Sequence, residues 1–209
     1  MTRVVGIGGK LASGKDAISD HLVENHGWIK LGMSDALADS LFTLDPWILL
    51  PTGLGWKNRF TAWVARLFRR QPTPVYVRYR ELYNALGYVG AKENTEVRRL
   101  LQVLGTEVGR KIIDENIWTD IMVKRVKALS GPDVPGIVVT GIRFPNELEA
   151  ISEELDGELW WVIRPAIVGA AITAGHASEN SVLPSDFDQT IYNDGTLPQL
   201  YIKVDRLIT

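Results

Sequence analysis

The chain has 209 residues, 45% hydrophobic and 23% charged, enough apolar material for one sizeable core and too much for general disorder. A formal net charge of −2 gives no overall attraction to nucleic acid, and the absence of cysteine excludes disulfides, thiolate metal sites and cysteine nucleophiles. This points to a reducing, cytoplasmic compartment in which oxygen or histidine must hold any metal. The apolar part of the N-terminus is too short for a signal peptide, and no run reaches the length of a membrane span.

In chain order, the β-branched run Val4–Ile7 predicts a strand, the glycine-rich stretch from Gly8 to Asp16 a loop, and Ala17, Ile18, His21 and Leu22 a helix. Trp28–Leu31 predicts a second strand. Ser34 or Asp35 then caps a helix through Leu37, Leu41 and Leu44, which Asp45-Pro46 stops. From Pro51 to about Arg80 the composition changes, and 45–80 is expected to be an insertion serving as a lid or acceptor-side helical segment. Within it Trp56, Phe60, Trp63, Val64, Leu67 and Phe68 follow helical spacing and make a basic amphipathic helix. Such a face could cover an acceptor, pack on a second copy in a homodimer, lie on a membrane surface or contact DNA.

Val97, Leu100, Leu101, Leu104 and Val108 mark one helical face between 95 and 113, with a break expected near Gly105. Trp118–Leu129 repeats the pattern. Ile137-Val138-Val139 reads as a strand buried on both faces, Glu147–Leu155 as a helix, Leu159–Ile163 as a strand and Leu197–Leu207 as a closing helix. Strands alternating with helices predict an α/β fold with a central parallel sheet flanked by helices, in one domain spanning 1–209.

Gly9, Gly14 and Lys15 match the pattern G-x-x-x-x-G-K between a predicted strand and a predicted helix. Glycines let backbone N–H groups turn around an oxyanion, the helix N-terminus adds positive potential, and the lysine reaches the β- and γ-phosphates. Ser13 lies in the same loop. The position usually held by Ser or Thr is Asp16, which could bind Mg²⁺ through its carboxylate or simply cap the helix dipole.

This loop resembles that of bacteriophage deoxynucleoside monophosphate kinases, and three later segments share the likeness: Val97 to Arg110 followed by Trp118, Thr140-Gly141-Ile142-Arg143-Phe144-Pro145-Asn146-Glu147, and His176-Ala177-Ser178-Glu179. Ile191-Tyr192-Asn193-Asp194-Gly195-Thr196 resembles the family's final strand and turn. The resemblance implies a P-loop kinase fold and, with Mg²⁺, transfer of the ATP γ-phosphoryl to a deoxynucleoside 5′-monophosphate in the cytoplasm of a phage-infected bacterium. The family usually has aspartate where this chain has Gly141 and threonine where it has Ala17.

The resemblance assigns the acceptor's phosphate to Arg98 and its base to Gln102, which share a helix face by their spacing. It adds Trp118, Ser34 and Asp35, and His176, Ser178 and Glu179, to the acceptor side, and Asn193 to the adenine. Phosphoryl transfer needs cations around the moving group, for which Arg143, Arg164 and Arg110 are the candidates beside Lys15. Glu147 is either a ligand of the acceptor or metal, or a first-turn acid of its helix. Ser178 lacks a nucleophile-elbow motif, so no catalytic triad is read there. Two other readings stay open: a P-loop kinase acting on a hydroxymethylated base in DNA or another small acceptor, and a nucleotide-binding protein without transfer activity.

Overall fold

A computed structural model describes residues 2–50, 75–165 and 181–209. The expected amphipathic helix 56–70 and the residues His176, Ser178 and Glu179 lie outside the described residues. The described chain divides into two compact units, 1–35 with 116–209, and 36–115.

The first unit is built on a five-stranded sheet in the order β2-β5-β1-β6-β7, with every paired neighbour parallel. The strands are β1 (Arg3–Gly9), β2 (Ile29–Gly32), β5 (Gly136–Ile142), β6 (Glu158–Ile163) and β7 (Gln189–Tyr192). Each is preceded or followed by turn residues and rich in Val, Ile or Trp, the side chains that fill a pleated, buried surface. Parallel strands need both faces covered, and alternate residues along them enter two separate clusters. Val4, Ile137, Val139, Leu159 and Trp161 pack on one side with Met122, Val123 and Val126 of helix α5 (Ile117–Leu129). Val5, Ile7, Val138, Trp160 and Val162 pack on the other with Ile18 and Leu22 of α1 (Lys15–His26) and Leu200 and Val204 of α7 (Leu197–Ile208). Burying each such side chain contributes about 1.5–3 kcal/mol, so the apolar run 137–139 is held by packing from both sides. Helix α6 (Pro145–Glu149) continues into a wider, π-type turn, Ala150–Glu154, before β6.

The second unit comprises most of α2 (Asp35–Leu44), a two-stranded antiparallel ribbon of β3 (Trp47–Leu50) and β4 (Val75–Arg78), and helices α3 (Tyr79–Ala91) and α4 (Thr95–Gln102). Sequence reading placed neither the ribbon nor α3, which is two helical stretches joined at a kink where Gly87 has φ +69. Asn94 caps α4, its side chain accepting from the N–H groups of Glu96 and Val97. The break expected at Gly105 takes a different form: α4 runs straight into a π-type segment, Val103–Ile113, and Gly105 is buried within it against Leu37. The helix widens there and does not stop.

Tyr79 anchors this unit's core beside Leu41, Ile48 and Val97 and is fully buried. Burial pushes its hydroxyl up to about 12, and among the described residues that oxygen has no hydrogen-bond partner. Tyr79→Phe keeps the ring and removes the unmatched group. It should leave stability unchanged or raise it by about 1 kcal/mol, read from the urea midpoint; a loss of that size would reveal a partner for the hydroxyl.

Candidate functional site: a phosphate-binding cleft

Strand β1 is central, between β5 and β6, and its C-terminal end opens into the loop that leads to α1. Ligands of open α/β sheets collect outside the carboxyl ends of the strands, and a cleft of about 200 Å³ lies there in the first unit. It is lined by Gly9, Lys10, Leu11, Ala12, Lys15 and Asp16 together with Thr140 to Arg143, Trp161 and Val182. This is less than the roughly 300–1,000 Å³ of pockets that enclose a whole ligand, and suits a polyphosphate.

Gly14 caps α1 with φ +108, a conformation open to glycine, and no side chain caps the helix. First-turn amides have no acceptor inside their own helix, so this end of α1 faces the cleft as a set of donors with positive potential. A Cβ on Gly14 would lie 2.5 Å from Nδ2 of Asn193. That amide is the loop's brace: buried at 7% exposure, it donates to the Ser13 carbonyl over 2.9 Å. The Asn193 backbone N–H in turn donates to Ile163 at the end of β6 over 2.7 Å. Ser13 is itself buried, at 3% exposure. The ammonium of Lys15 donates to the carbonyls of Gly9 and Lys10 at 2.7 and 2.6 Å, and so spans the loop from within.

The structure thus brings Gly9, Ser13, Gly14, Lys15, Asp16, Asn193 and Arg143 together. Arg143 is exposed at the end of β5, and among the described residues its guanidinium makes no hydrogen bond. Asp16 is 86% exposed and 3.5 Å from Lys30. Thr140, not singled out in the sequence reading, also lines the cleft, and its hydroxyl donates to the Leu31 carbonyl of β2 over 3.4 Å. The only sequence signal for it was a hydroxyl residue ending a buried strand before Gly-x-Arg. Asp16 and Thr140 are hard oxygen donors of the kind Mg²⁺ takes while keeping several waters, so the residues present fit that ion.

Other expected residues have different surroundings. Glu147 is buried at 3% exposure, and its Oε2 accepts from the N–H groups of Arg143 and Phe144 at 2.7 and 3.1 Å, the geometry of a helix cap. This cap fixes the backbone from which Arg143 projects. Asp35 accepts from the Gly32 N–H at 2.7 Å and begins α2, while Ser34 is exposed; neither lines the cleft. Trp118 is buried on α5 and Arg164 is exposed just past β6. In the second unit Arg98 and Gln102 are both exposed on α4, on the face next to buried Val97 and Leu101, and Arg98 donates to the Lys92 carbonyl at 2.6 Å. Arg110 is half-buried in the π-type segment.

Gly141 has φ +84 at a register shift, where Ile7 pairs with Thr140 and Gly8 with Ile142. The residue is a bulge, and a Cβ there would meet nothing within 4 Å. Space therefore exists for a side chain, but the backbone angle disfavours one.

The sequence model of the deoxynucleotide monophosphate kinase family matches residues 54–204, well over half of the chain. The chain belongs to that family. The matched span begins after the phosphate loop, so loop and family match are separate observations. Among curated relatives, the deoxynucleoside-5′-monophosphate kinase of Escherichia phage T5 is 38% identical over 89 residues, covering 41% of this chain and 34% of that protein. The deoxynucleotide monophosphate kinase of Escherichia phage RB69 is 28% identical over 130 residues, covering 62% of this chain and 51% of that protein. The chain thus spans about a third to a half of the length of these family relatives. Among solved structures, the dephospho-CoA kinase from Campylobacter jejuni aligns over 100% of this chain and 98% of its own, with a TM-score of 0.48 and 12% identity. A likeness that loose carries no weight for function.

Two substitutions test the cleft's construction. Asn193→Ala removes the brace and leaves the buried Ser13 carbonyl unpaired, which should cost about 1–3 kcal/mol and weaken nucleotide binding with it; unchanged stability and affinity would show that the loop holds its shape alone. Gly141→Asp should cost about 1–2 kcal/mol in thermal or urea unfolding from its left-handed backbone angle.

Proposed function

We propose that this protein transfers the γ-phosphoryl of ATP to the 5′-phosphate of a deoxynucleoside monophosphate, giving the diphosphate and ADP. The observation that carries the reading is Lys15 in a braced glycine loop at the mouth of the central strand, in a chain whose later residues belong to the deoxynucleotide monophosphate kinase family.

The chemistry needs little covalent help from the protein. A phosphoryl group in flight spreads negative charge over its equatorial oxygens, and catalysis is positioning plus electrostatic stabilisation. Backbone N–H groups of the loop and the N-terminus of α1 bind the β- and γ-phosphates. The Lys15 ammonium turns from the Gly9 and Lys10 carbonyls onto the phosphate oxygens, and Arg143 approaches from the same cleft. Mg²⁺, held by Asp16 and Thr140, would neutralise charge on the phosphates when bound. Arg98 takes the acceptor's phosphate, a doubly charged partner suited to a guanidinium, and Gln102 reads the base. Arg110, Arg164, Trp118, Ser34, Asp35, His176, Ser178 and Glu179 remain proposals for the acceptor side and the moving charge, and Glu147 contributes by capping α6.

A coupled assay of ADP release across the deoxynucleoside monophosphates tests this directly. Lys15→Met should lower kcat at least roughly 100-fold with the fold intact. Arg98→Ala should lower kcat/KM for the monophosphate by about 1.5–3 kcal/mol and leave the KM for ATP unchanged. Turnover with DNA as acceptor and a steep loss with salt would replace the mononucleotide by a polymer. Tight ATP binding without turnover on any acceptor would remove the transfer step altogether.

A further inference from the structure

At the far end of α1 from the phosphate loop, three side chains that the kinase reading leaves unused converge on one point. Nε2 of His21 and Nε2 of His26 lie 2.7 and 2.8 Å from the same oxygen, Oδ1 of Asp205 on α7. One ligand atom from each of the three falls within 4.8 Å of the others. We propose that His21, His26 and Asp205 form a binding site for a borderline divalent cation of the zinc type, a clamp that fastens the end of α1 to α7.

The donor set decides the class of ion. Two imidazole nitrogens with one carboxylate suit zinc and its neighbours, whereas Mg²⁺ and Ca²⁺ take oxygen. Three protein ligands leave a position for water, and access exists: the side chains of His26 and Asp205 are 31% and 43% exposed, against 9% for His21. The rings are already oriented. His21 stacks on Tyr201 with centroids 4.2 Å apart, and its Nδ1 lies 3.0 Å from the side-chain amide of Asn25. The same amide nitrogen donates to the His21 carbonyl over 3.2 Å. When the ion takes Nε2, the neutral ring carries its proton on Nδ1, and Asn25 accepts it through Oδ1 after its amide rotates. Among the described residues no other group of histidines and carboxylates converges in this way.

The test is zinc titration of the untagged, metal-free protein against a chromophoric chelator, with Co²⁺ as a spectroscopic probe. The expected result is one equivalent of tight binding, four-coordinate Co²⁺ bands, and a Tm that rises with zinc and does not respond to equal Mg²⁺. His26→Gln and Asp205→Asn, at the more exposed positions, should each lower zinc affinity at least roughly tenfold. Lys15→Met should leave it unchanged, because the phosphate loop is not involved. Equal zinc affinity in wild type and the H26Q/D205N double variant, or no binding by a folded wild type, overturns the proposal and leaves a hydrogen-bonded His-Asp-His bridge.

Discussion

The cleft depends on one close approach: the Asn193 amide lying against Gly14 while it bonds the carbonyl of Ser13. A loop that must point its N–H groups at an anion has to dispose of its carbonyls elsewhere, since buried acceptors without partners are costly. Here the Ser13 carbonyl goes to Asn193, and those of Gly9 and Lys10 to the Lys15 ammonium. Glycine at 14 is then required twice, for its positive φ and for the amide that occupies the place of a Cβ. The sheet order makes the brace possible. Asn193 follows β7 at the sheet edge, tied to the end of β6, whose other neighbour is β1.

Much of this was legible because it is local. Val4–Ile7 and Ile137–Val139 announce buried strands by composition, and the division of their alternate residues between two core layers follows from the two-residue period of a strand. The loop is legible because Gly14-Lys15 sits at a strand-to-helix junction. The brace was not: Asn193 is 180 positions from Ser13, and nothing in a turn-forming Asn-Asp-Gly tells which carbonyl its amide reaches. Glu147 shows a different limit, because a helix-capping acid and a ligand-binding acid look alike in sequence. Only its burial and two backbone donors distinguish the cap.

Gly141 bears on how the site manages its charge. Its place at the bulge between two register blocks of β1 and β5 means that glycine there is a conformational choice as well as a missing carboxylate. The oxygen-bearing side chains that line the cleft are Thr140, one residue earlier, and Asp16. The cleft carries less negative charge than one bearing aspartate at 141. The cations Lys15 and Arg143 then line the cleft with less opposing charge.

Helix α1 connects these features. Its 12 residues make a rod of roughly 18 Å, with the anion-binding end at Gly14 and His26 in its last turn. Its dipole favours anions at the first end and cations at the second. Phosphate chemistry is assigned to the N-terminus, while at the C-terminus imidazoles gather around Asp205 of a neighbouring helix. Between them Ile18 and Leu22 are fully buried against β1 and α7, so the loop is mounted on an element held along its length. Displacing α1 along its axis would misplace the amides at Gly14 by the same amount, and phosphoryl transfer is sensitive to errors of about 1 Å. Fixing the distal end on α7 therefore also holds the amides at Gly14 in place.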